Sequence, residues 1–308
     1  MYETLYKCSD SSEEMKSIDG HIKHLIQGQN SSEAVEKMSE KVVLDVIHSL
    51  KKHKMDVSNS FNSDSLLNAP DILSFVLSKV FKCWLYHGKI TRSILVCAFI
   101  PLLKSSLKDP ASTDSYRAIA GSSLILKVFE KCILKVWGEN LGSDSLQFGF
   151  KKRCSTTTAT WLVQEVLQHY VRKGSKPIAV VLDCSRAFDL ARFDKLFGRL
   201  LERIPAIVVR ALCYSYKEQL GWVKWGRHRV SETFALKNGT RQGLSASPTF
   251  WAVYLNPLLE ELRQLGVGCH VAGVFVGVVA FADDLILLAP CRSAAQLMLS
   301  HCEDCPKK

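Results

Sequence analysis

Carboxylates beside apolar runs are the features of this sequence that could carry chemistry. Residues 180–182 (VVL) precede Asp183, and residues 281–282 (FA) precede the neighbouring pair Asp283 and Asp284. A charged carboxylate in apolar surroundings is costly unless it is paired, and two adjacent carboxylates repel each other. A divalent cation removes both difficulties, since Mg²⁺ prefers oxygen ligands and keeps coordination sites for water and substrate phosphate. The three acids are therefore candidates for a two-metal site that activates a hydroxyl and stabilises a leaving phosphate.

The segments that must position these acids have the composition of strands. Residues 178–183 (IAVVLD) form a continuous aliphatic run, which predicts a buried strand. Residues 271–290 imitate a membrane span, but each Asp within them would cost roughly 2.5–3.5 kcal/mol at a bilayer centre. We therefore expect three or four short strands over 269–289, with Asp283 and Asp284 at a hairpin tip. A lone strand-terminal Asp is often only a cap or a turn former, and only the combination of Asp183 with the Asp283–Asp284 pair indicates catalysis.

Helical patterns alternate irregularly with these strands. Apolar spacing predicts helices over 41–53, after Pro70, over 122–137, around 161–170, from about Arg192 and over 248–264. Two further β segments are expected, a strand over 96–103 and a hairpin over 222–236 that turns near Gly226. Because the order is not a strict βαβ alternation, the sequence predicts an α+β fold.

The composition allows a sizeable core and favours a polyanionic partner. The 308 residues, 47% of them hydrophobic and 23% charged, are enough for two closely packed subdomains. The formal net charge is +10 and the pI is about 9.0. Such a surplus favours a polyanion, because each neutralised phosphate releases counterions. A merely basic soluble protein explains the charge equally well, so charge alone does not decide.

Cysteine usage points to a reducing compartment. The eleven cysteines follow no regular framework, and the polar, acidic N-terminus lacks the apolar segment of a secretory signal. We therefore expect reduced thiols and an intracellular location, cytoplasmic, nuclear or both. His301, Cys302 and Cys305 offer at most three metal ligands without a second cluster, which argues against a zinc site.

Six short motifs, taken in order, resemble those of one family, the reverse transcriptases of non-LTR (LINE-type) retrotransposons. Three segments resemble the family's palm motifs: 182–189 (LDCSRAFD), 238–248 (NGTRQGLSASP) and 281–284 (FADD). Three upstream segments resemble its fingers motifs: 100–104 (IPLLK), 115–119 (SYRAI) and 147–150 (QFGF). The resemblance covers about residues 41–305 and is clearest from 96 onward. Six motifs in the right order are far more specific than a lone Asp-Asp pair.

The resemblance implies a metal-dependent polymerase that copies RNA into DNA. Asp183 and Asp283 would hold two Mg²⁺ ions, for which Mn²⁺ could substitute, and Asp284 would assist. The implied partners are an RNA template, a DNA primer and deoxynucleoside triphosphates, and no membrane is implied.

The resemblance also implies residues that bind the nucleotide. Lys104 and Arg117 would grip the triphosphate, Arg through its bidentate fork and Lys as a point charge. Phe188 would lie under the sugar, where its ring would clash with a 2′-hydroxyl. Gln242 and Gly243 would line the nucleotide and template pocket. Two of these assignments keep a plainer alternative, since Phe188 could be ordinary core and Lys104 a solvated loop charge.

The fold that the resemblance implies is a right-hand polymerase fold, built from fingers and palm. We expect an N-terminal helical extension over 1–85 and a reverse transcriptase domain over 86–308, with fingers at about 86–177 and palm at about 178–308. Residues 285–308 are too few for the family's thumb, which we expect to be largely missing. The alternative is a catalytically inactive, truncated remnant that still binds RNA. Nothing in the sequence indicates an oligomeric state.

The assignment of Phe188 leads to a test of sugar selection. Replacing the ring by a smaller side chain in Phe188→Val should raise ribonucleotide incorporation, because the clash with the 2′-hydroxyl is removed. Primer extension with deoxy- and ribonucleotides measures the ratio. Unchanged sugar selectivity in an active enzyme would contradict the assignment and favour the core alternative.

Overall fold

The computed structural model of the protein describes residues 12–28, 31–58, 60–107, 109–112, 115–183, 187–226, 229–240 and 243–304. The chain divides into two compact units. The first unit combines residues 1–141 with 188–247, and the second combines 142–187 with 248–308. Both units contain helices and strands, which agrees with the predicted α+β class.

The described elements follow one another along the chain as α1 (Ser12–Gly28), α2 (Ser31–Glu36), α3 (Glu40–His48), α4 (Ser63–Leu67), α5 (Ile72–His87), β1 (Val96–Leu103), β2 (Tyr116–Ser122), α6 (Leu124–Trp137), α7 (Thr156–Arg172), β3 (Ile178–Asp183), α8 (Ala187–Leu190), α9 (Phe193–Leu201), α10 (Ala206–Lys217), β4 (Leu220–Trp225), β5 (Arg229–Val230), β6 (Phe234–Ala235), α11 (Ser247–Gln264), β7 (His270–Val271), β8 (Val274–Phe275), β9 (Val278–Phe281), β10 (Asp284–Ala289) and α12 (Arg292–Asp304). A short 3₁₀ turn, Arg92–Ile94, precedes β1.

The helix predicted over 41–53 is wrong at its C-terminal end, because α3 stops at His48. The Ser63 hydroxyl donates to the Lys51 carbonyl (2.8 Å) and accepts from the Lys54 N–H (2.9 Å). These two bonds hold the basic segment in a turn against the start of α4. Ser63 lies twelve residues from Lys51, so the helical spacing of residues 41–53 alone could not show where the helix ends.

The sheet of the first unit is organised around β1. In the described residues β2 pairs antiparallel with β1, β4 pairs parallel with it on the other side, and β5 and β6 both pair with β4. The strand predicted over 96–103 is confirmed. The predicted turn near Gly226 is also confirmed, since Gly226 has a φ of +66° and lies between β4 and β5.

One face of this sheet carries a small apolar core. Its buried members are Cys97, Phe99, Ala118, Ala120 and Leu236. Because successive strand residues point to opposite faces, Arg117 of β2 and Leu102 of β1 fall on the other face, and both are exposed. The sheet therefore separates its core from the residues that could meet a charged partner.

The second unit contains a sheet in the order β3-β10-β9, with both neighbours antiparallel to β10. One face of this sheet packs against α11 and α12 through a buried cluster that includes Leu259, Leu262, Leu285, Leu287 and Met298. The other face packs against α7 through a smaller cluster that includes Ala159, Val166, Val279 and Leu288. Apolar residues on both faces of β9 and β10 explain their nearly unbroken aliphatic sequence.

The prediction of a fully buried strand over 178–183 is wrong for one face of β3. Ile178, Val180 and Leu182 pack against the α11–α12 side of the sheet, whereas Val181 is 71% exposed. A continuous aliphatic run fits a strand buried on both faces or on one, and only the tertiary packing decides between them.

Residues 271–290, which imitate a membrane span in sequence, form strands β7 to β10. Gly273, with a φ of +79°, lies in the turn between β7 and β8. The helix predicted over 248–264 is confirmed as α11, with Pro248 in its first turn. In the described part of the chain, no helix is long and apolar enough to cross a membrane.

The described part of the chain contains eight cysteines, and no disulfide joins any two of them. Burial raises the pKa of both Cys132 and Cys213 to about 12. These thiols therefore stay protonated at neutral pH and behave as small apolar core residues.

Candidate active site

The acid at the end of β3 faces the acid at the start of β10. Asp183 and Asp284 are direct partners in the antiparallel register of the two strands. Residues paired in this way share one face of the sheet, with Cβ atoms about 4.5–5.5 Å apart. Both acids are exposed. The sheet thus joins two of the three predicted acids from distant parts of the sequence.

The third acid, Asp283, lies at the tip of the β9–β10 hairpin and is partly exposed. Within the described ranges no three His, Cys, Asp or Glu side chains form a group that could hold a metal ion. The acids therefore do not form a closed protein cage. Mg²⁺ is commonly bound through one or two carboxylates, with water and substrate phosphate completing its shell. The adjacent, exposed oxygen donors of Asp183 and Asp284 fit that requirement.

The prediction of a costly buried Asp183 is wrong, because the end of β3 is open to solvent. The same holds for Asp284 at the first position of β10. What remains is the repulsion between two like charges on directly opposite residues, which is destabilising in a sheet. A cation bound between the two carboxylates would relieve this repulsion, so the paired acids favour a metal even though they are exposed.

Lys104 and Arg117 lie close together at one end of the β1–β2 pair. Arg117 is directly opposite Leu102, and Lys104 follows two residues later. The backbone N–H of Lys104 donates to the Ser115 carbonyl (2.8 Å), which continues the pairing beyond the strand. Both cationic side chains are exposed. The first unit thus presents two cations on neighbouring strands, an arrangement suited to an anionic ligand.

Gly243 lies against the backbone of β2. Its φ is +108°, and a Cβ built on it would stand 2.5 Å from the carbonyl oxygen of Ala120. Ala120 follows Arg117 by three residues, roughly 10 Å along the strand. The missing side chain therefore serves two purposes, a left-handed backbone and a close approach to β2.

Phe188 begins the part of the chain that returns to the first unit, and its ring is 8% exposed. Its carbonyl accepts the N–H of Thr240 (2.6 Å), which ties α8 to the segment before Gly243. Burial of the ring fits both the sugar gate and the core alternative. The predicted pocket residue Gln242 lies outside the described residues.

Residues 104–308 match the family model described as reverse transcriptase (RNA-dependent DNA polymerase). The chain belongs to this family. Reverse transcriptases are nucleotidyltransferases that use divalent metals, and the matched segment contains every site residue predicted from the sequence, from Lys104 to Asp284.

Two curated relatives place the chain among the non-LTR reverse transcriptases. It is 25% identical over 260 residues to the Retrovirus-related Pol polyprotein from type-2 retrotransposable element R2DM of Drosophila melanogaster, an alignment that covers 83% of this chain and 24% of the relative. It is also 25% identical over 232 residues to the Retrovirus-related Pol polyprotein from type-1 retrotransposable element R2 of Nasonia vitripennis, covering 74% and 22%. The chain spans about a quarter of the length of these relatives. The predicted resemblance to non-LTR reverse transcriptases is confirmed.

A buried acid that is not among the predicted site residues holds the segment after Gly243. Glu130 of α6 is 2% exposed and accepts the backbone N–H groups of Ser245 (3.0 Å) and Ala246 (3.2 Å). Burial lowers the pKa of nearby Lys127, while the charge of Glu130 acts in the opposite direction. The sequence did contain a signal for this role, since Glu130 lies within the apolar stripe of the helix predicted over 122–137. A carboxylate buried there needs a hydrogen-bonding partner.

The close approach of Gly243 can be tested against a matched glycine. Gly226 also has a positive φ (+66°), but no atom of the described residues lies within 4 Å of a Cβ built on it. Gly226→Ala should lower the free energy of unfolding by roughly 1 kcal/mol, through backbone strain alone. Gly243→Ala should lower it by roughly 3 kcal/mol, because steric overlap with β2 adds to the strain. Urea titration measures both, and equal losses would contradict the close approach.

Proposed function

We propose that this chain is the fingers and palm of an RNA-directed DNA polymerase, which adds deoxynucleotides to the 3′-hydroxyl of a primer. The observation that carries the proposal is the direct pairing of Asp183 with Asp284, beside a hairpin tip that carries Asp283. This pairing occurs in a chain that belongs to the reverse transcriptase family. Opposed carboxylates at an open strand end have little structural value, and they suit a metal-dependent reaction on phosphates.

In this proposal the three acids divide between metal binding and charge placement. Asp183 and Asp283 hold two Mg²⁺ ions, or Mn²⁺ in their place, and Asp284 assists from the position opposite Asp183. When bound, such ions activate the attacking hydroxyl and stabilise the leaving pyrophosphate. The contribution of the chain is to hold Asp183 and Asp284 on one face of a sheet whose register is fixed by packed apolar side chains.

The cations of the first unit bind the triphosphate in this proposal. Lys104 and Arg117 are exposed on neighbouring segments of the β1–β2 pair, where a triphosphate could reach them. Phe188 selects deoxynucleotides, and Gln242 and Gly243 line the nucleotide and template pocket. The close packing of Gly243 on β2 supports its part of the assignment.

The proposal extends to architecture and partners. The chain takes the right-hand polymerase fold, with an N-terminal extension over 1–85, fingers at about 86–177 and palm at about 178–308. Its partners are an RNA template, a DNA primer and deoxynucleoside triphosphates. The net charge of +10 supports a nucleic-acid partner. We also propose an intracellular location, cytoplasmic, nuclear or both.

The same net charge favours a second candidate, an RNA-binding protein of reverse transcriptase fold without turnover. Binding that weakens steeply with salt needs only lysines and arginines, and not the aspartates. Salt-dependent RNA binding without metal-dependent synthesis would support this candidate.

Primer extension on an RNA template with Mg²⁺ or Mn²⁺ tests the proposed function. The parent chain should extend the primer, and Asp183→Asn and Asp283→Asn should each reduce the rate by at least roughly 10²–10³-fold, the loss typical of removing one group that stabilises transition-state charge. The variants keep the size of the side chain, so the fold should be retained.

Asp71→Asn is the matched control for these variants. Asp71 precedes α5 and makes no side-chain capping bond there, so its substitution should leave extension unchanged. A folded parent that binds RNA and gives no extension over a range of templates and salt would overturn the polymerase and leave the RNA-binding candidate.

A further inference from the structure

The tip of the β9–β10 hairpin contains a strained residue. Ala282 has a φ of +59°, which is unfavourable for a residue with a Cβ. Two-residue hairpin turns with a positive φ at this position usually carry glycine, asparagine or aspartate. An alanine persists in this conformation only where surrounding residues hold its backbone in place. We therefore expect specific contacts to Ala282.

Gln147 holds both polar groups of Ala282. Its side chain is fully buried, its Oε1 accepts the Ala282 N–H (3.0 Å), and its Nε2 donates to the Ala282 carbonyl (3.1 Å). The same Oε1 accepts the N–H of Gly149 (2.7 Å). One amide side chain therefore fixes the position and the rotation of the strained residue.

Trp251 of helix α11 also binds Ala282. Its Nε1 donates to the Ala282 carbonyl (2.9 Å), and the residue is 4% exposed. The carbonyl oxygen has two acceptor positions, and Gln147 and Trp251 each donate to it. Ala282 thus has its N–H and its carbonyl bonded to side chains rather than to a strand ladder.

Backbone hydrogen bonds between residues 146–148 and Ala280 of β9 position Gln147 beside the hairpin tip. The N–H of Phe148 donates to the Ala280 carbonyl (2.7 Å), and the Ala280 N–H donates to the Leu146 carbonyl (2.9 Å). Gly149 follows, and a Cβ on it would stand 2.3 Å from the nitrogen of Ala282. The glycine lets this segment come close enough for the glutamine to reach the tip.

Helix α11 joins both parts of the arrangement. It carries Trp251 and, further along, Asn256, whose Oδ1 accepts the Asp144 N–H (2.8 Å) and whose Nδ2 donates to the Gly142 carbonyl (3.0 Å). The helix therefore holds the segment that carries Gln147 as well as the hairpin itself.

From this geometry we infer that Gln147 and Trp251 are positioning residues, which hold Ala282 so that Asp283 and Asp284 are presented in one fixed arrangement. The inference rests on the proposed function and adds to it the parts that align the acids. Neither residue touches a reacting atom in this account. Both act through the backbone of the residue immediately before Asp283.

Amide hydrogen exchange on the full chain tests the hold without any need for activity. In Gln147→Met all three side-chain bonds are lost at similar volume, and exchange across residues 281–285 should accelerate by at least about tenfold. Trp251→Phe removes one donor and should accelerate it by about three- to fivefold. Because Trp251→Phe keeps every bond of Gln147, it carries the test if Gln147→Met does not fold.

Matched controls come from buried residues of the same types in the first unit. Gln219 is 1% exposed and Trp137 is 5% exposed. Both belong to the first unit, whereas the β9–β10 hairpin belongs to the second. Gln219→Met and Trp137→Phe should leave exchange across 281–285 unchanged. Unchanged exchange in both Trp251→Phe and folded Gln147→Met would overturn the inference.

Steady-state kinetics separate positioning from general stability. In Gln147→Met the kcat of primer extension should fall at least about tenfold, while the KM for deoxynucleotide changes less than about twofold, because the residues assigned to the triphosphate lie on other elements. A hairpin that opens while kcat stays at the parent value would overturn the positioning role. A parent without extension would instead overturn the proposed function, and exchange alone would then decide whether the two side chains hold the hairpin.

Discussion

The register of β3 with β10 is the constraint on which the candidate site of the second unit depends, because it places two carboxylates directly opposite each other. Asp183 and Asp284 are opposed because the register of β3 with β10 is fixed along its whole length by aliphatic pairs such as Val180 with Leu287. A slip of one residue would separate the acids and would also turn the packed side chains of β3, such as Val180 and Leu182, away from the core. Packing against α7 on one side and against α11 and α12 on the other therefore holds a charge arrangement that the strands alone would avoid. The cost, up to about 1 kcal/mol for like charges directly opposite, is small beside the apolar burial that enforces it.

In each unit a buried polar side chain fixes the backbone of a segment next to an assigned residue. Glu130 binds two successive N–H groups just after Gly243, and Gln147 binds both polar groups of Ala282 just before Asp283. Buried polar groups are costly when unsatisfied, so each such arrangement is stable in one geometry only. Apolar packing supplies most of the stability, and these few directional bonds determine where the site residues are placed.

The sequence predicted helices and strands well where the apolar residues follow a clear helical or strand period and where residues typical of an element's ends are present. The strand ending at Asp183, the strand over 96–103 and the helix beginning near Pro248 follow from patterns within a few residues, and the structure confirms them. The features it did not predict depend on residues far apart in the chain. Ser63 holds residues 51 and 54 in a turn after α3, and the exposure of Val181 depends on which face of the sheet is packed. The strained backbone of Ala282 is held by Gln147 and Trp251. A periodic pattern carries no information on such partners, and an acid such as Glu130 in an apolar helix stripe shows only that a partner must exist.

The free energy of unfolding with and without Mg²⁺ tests most directly whether the opposed acids form a cation site. In EDTA, Asp183→Asn should be more stable than the parent by roughly 0.5 kcal/mol, because the repulsion with Asp284 is removed. Mg²⁺ at 100 times its dissociation constant should stabilise the parent by about 2.7 kcal/mol and Asp183→Asn far less, with ionic strength matched by NaCl. The account predicts this reversal of the stability order on addition of Mg²⁺. An equal response of the parent and Asp183→Asn to Mg²⁺, or a loss of stability of Asp183→Asn in EDTA, would contradict it.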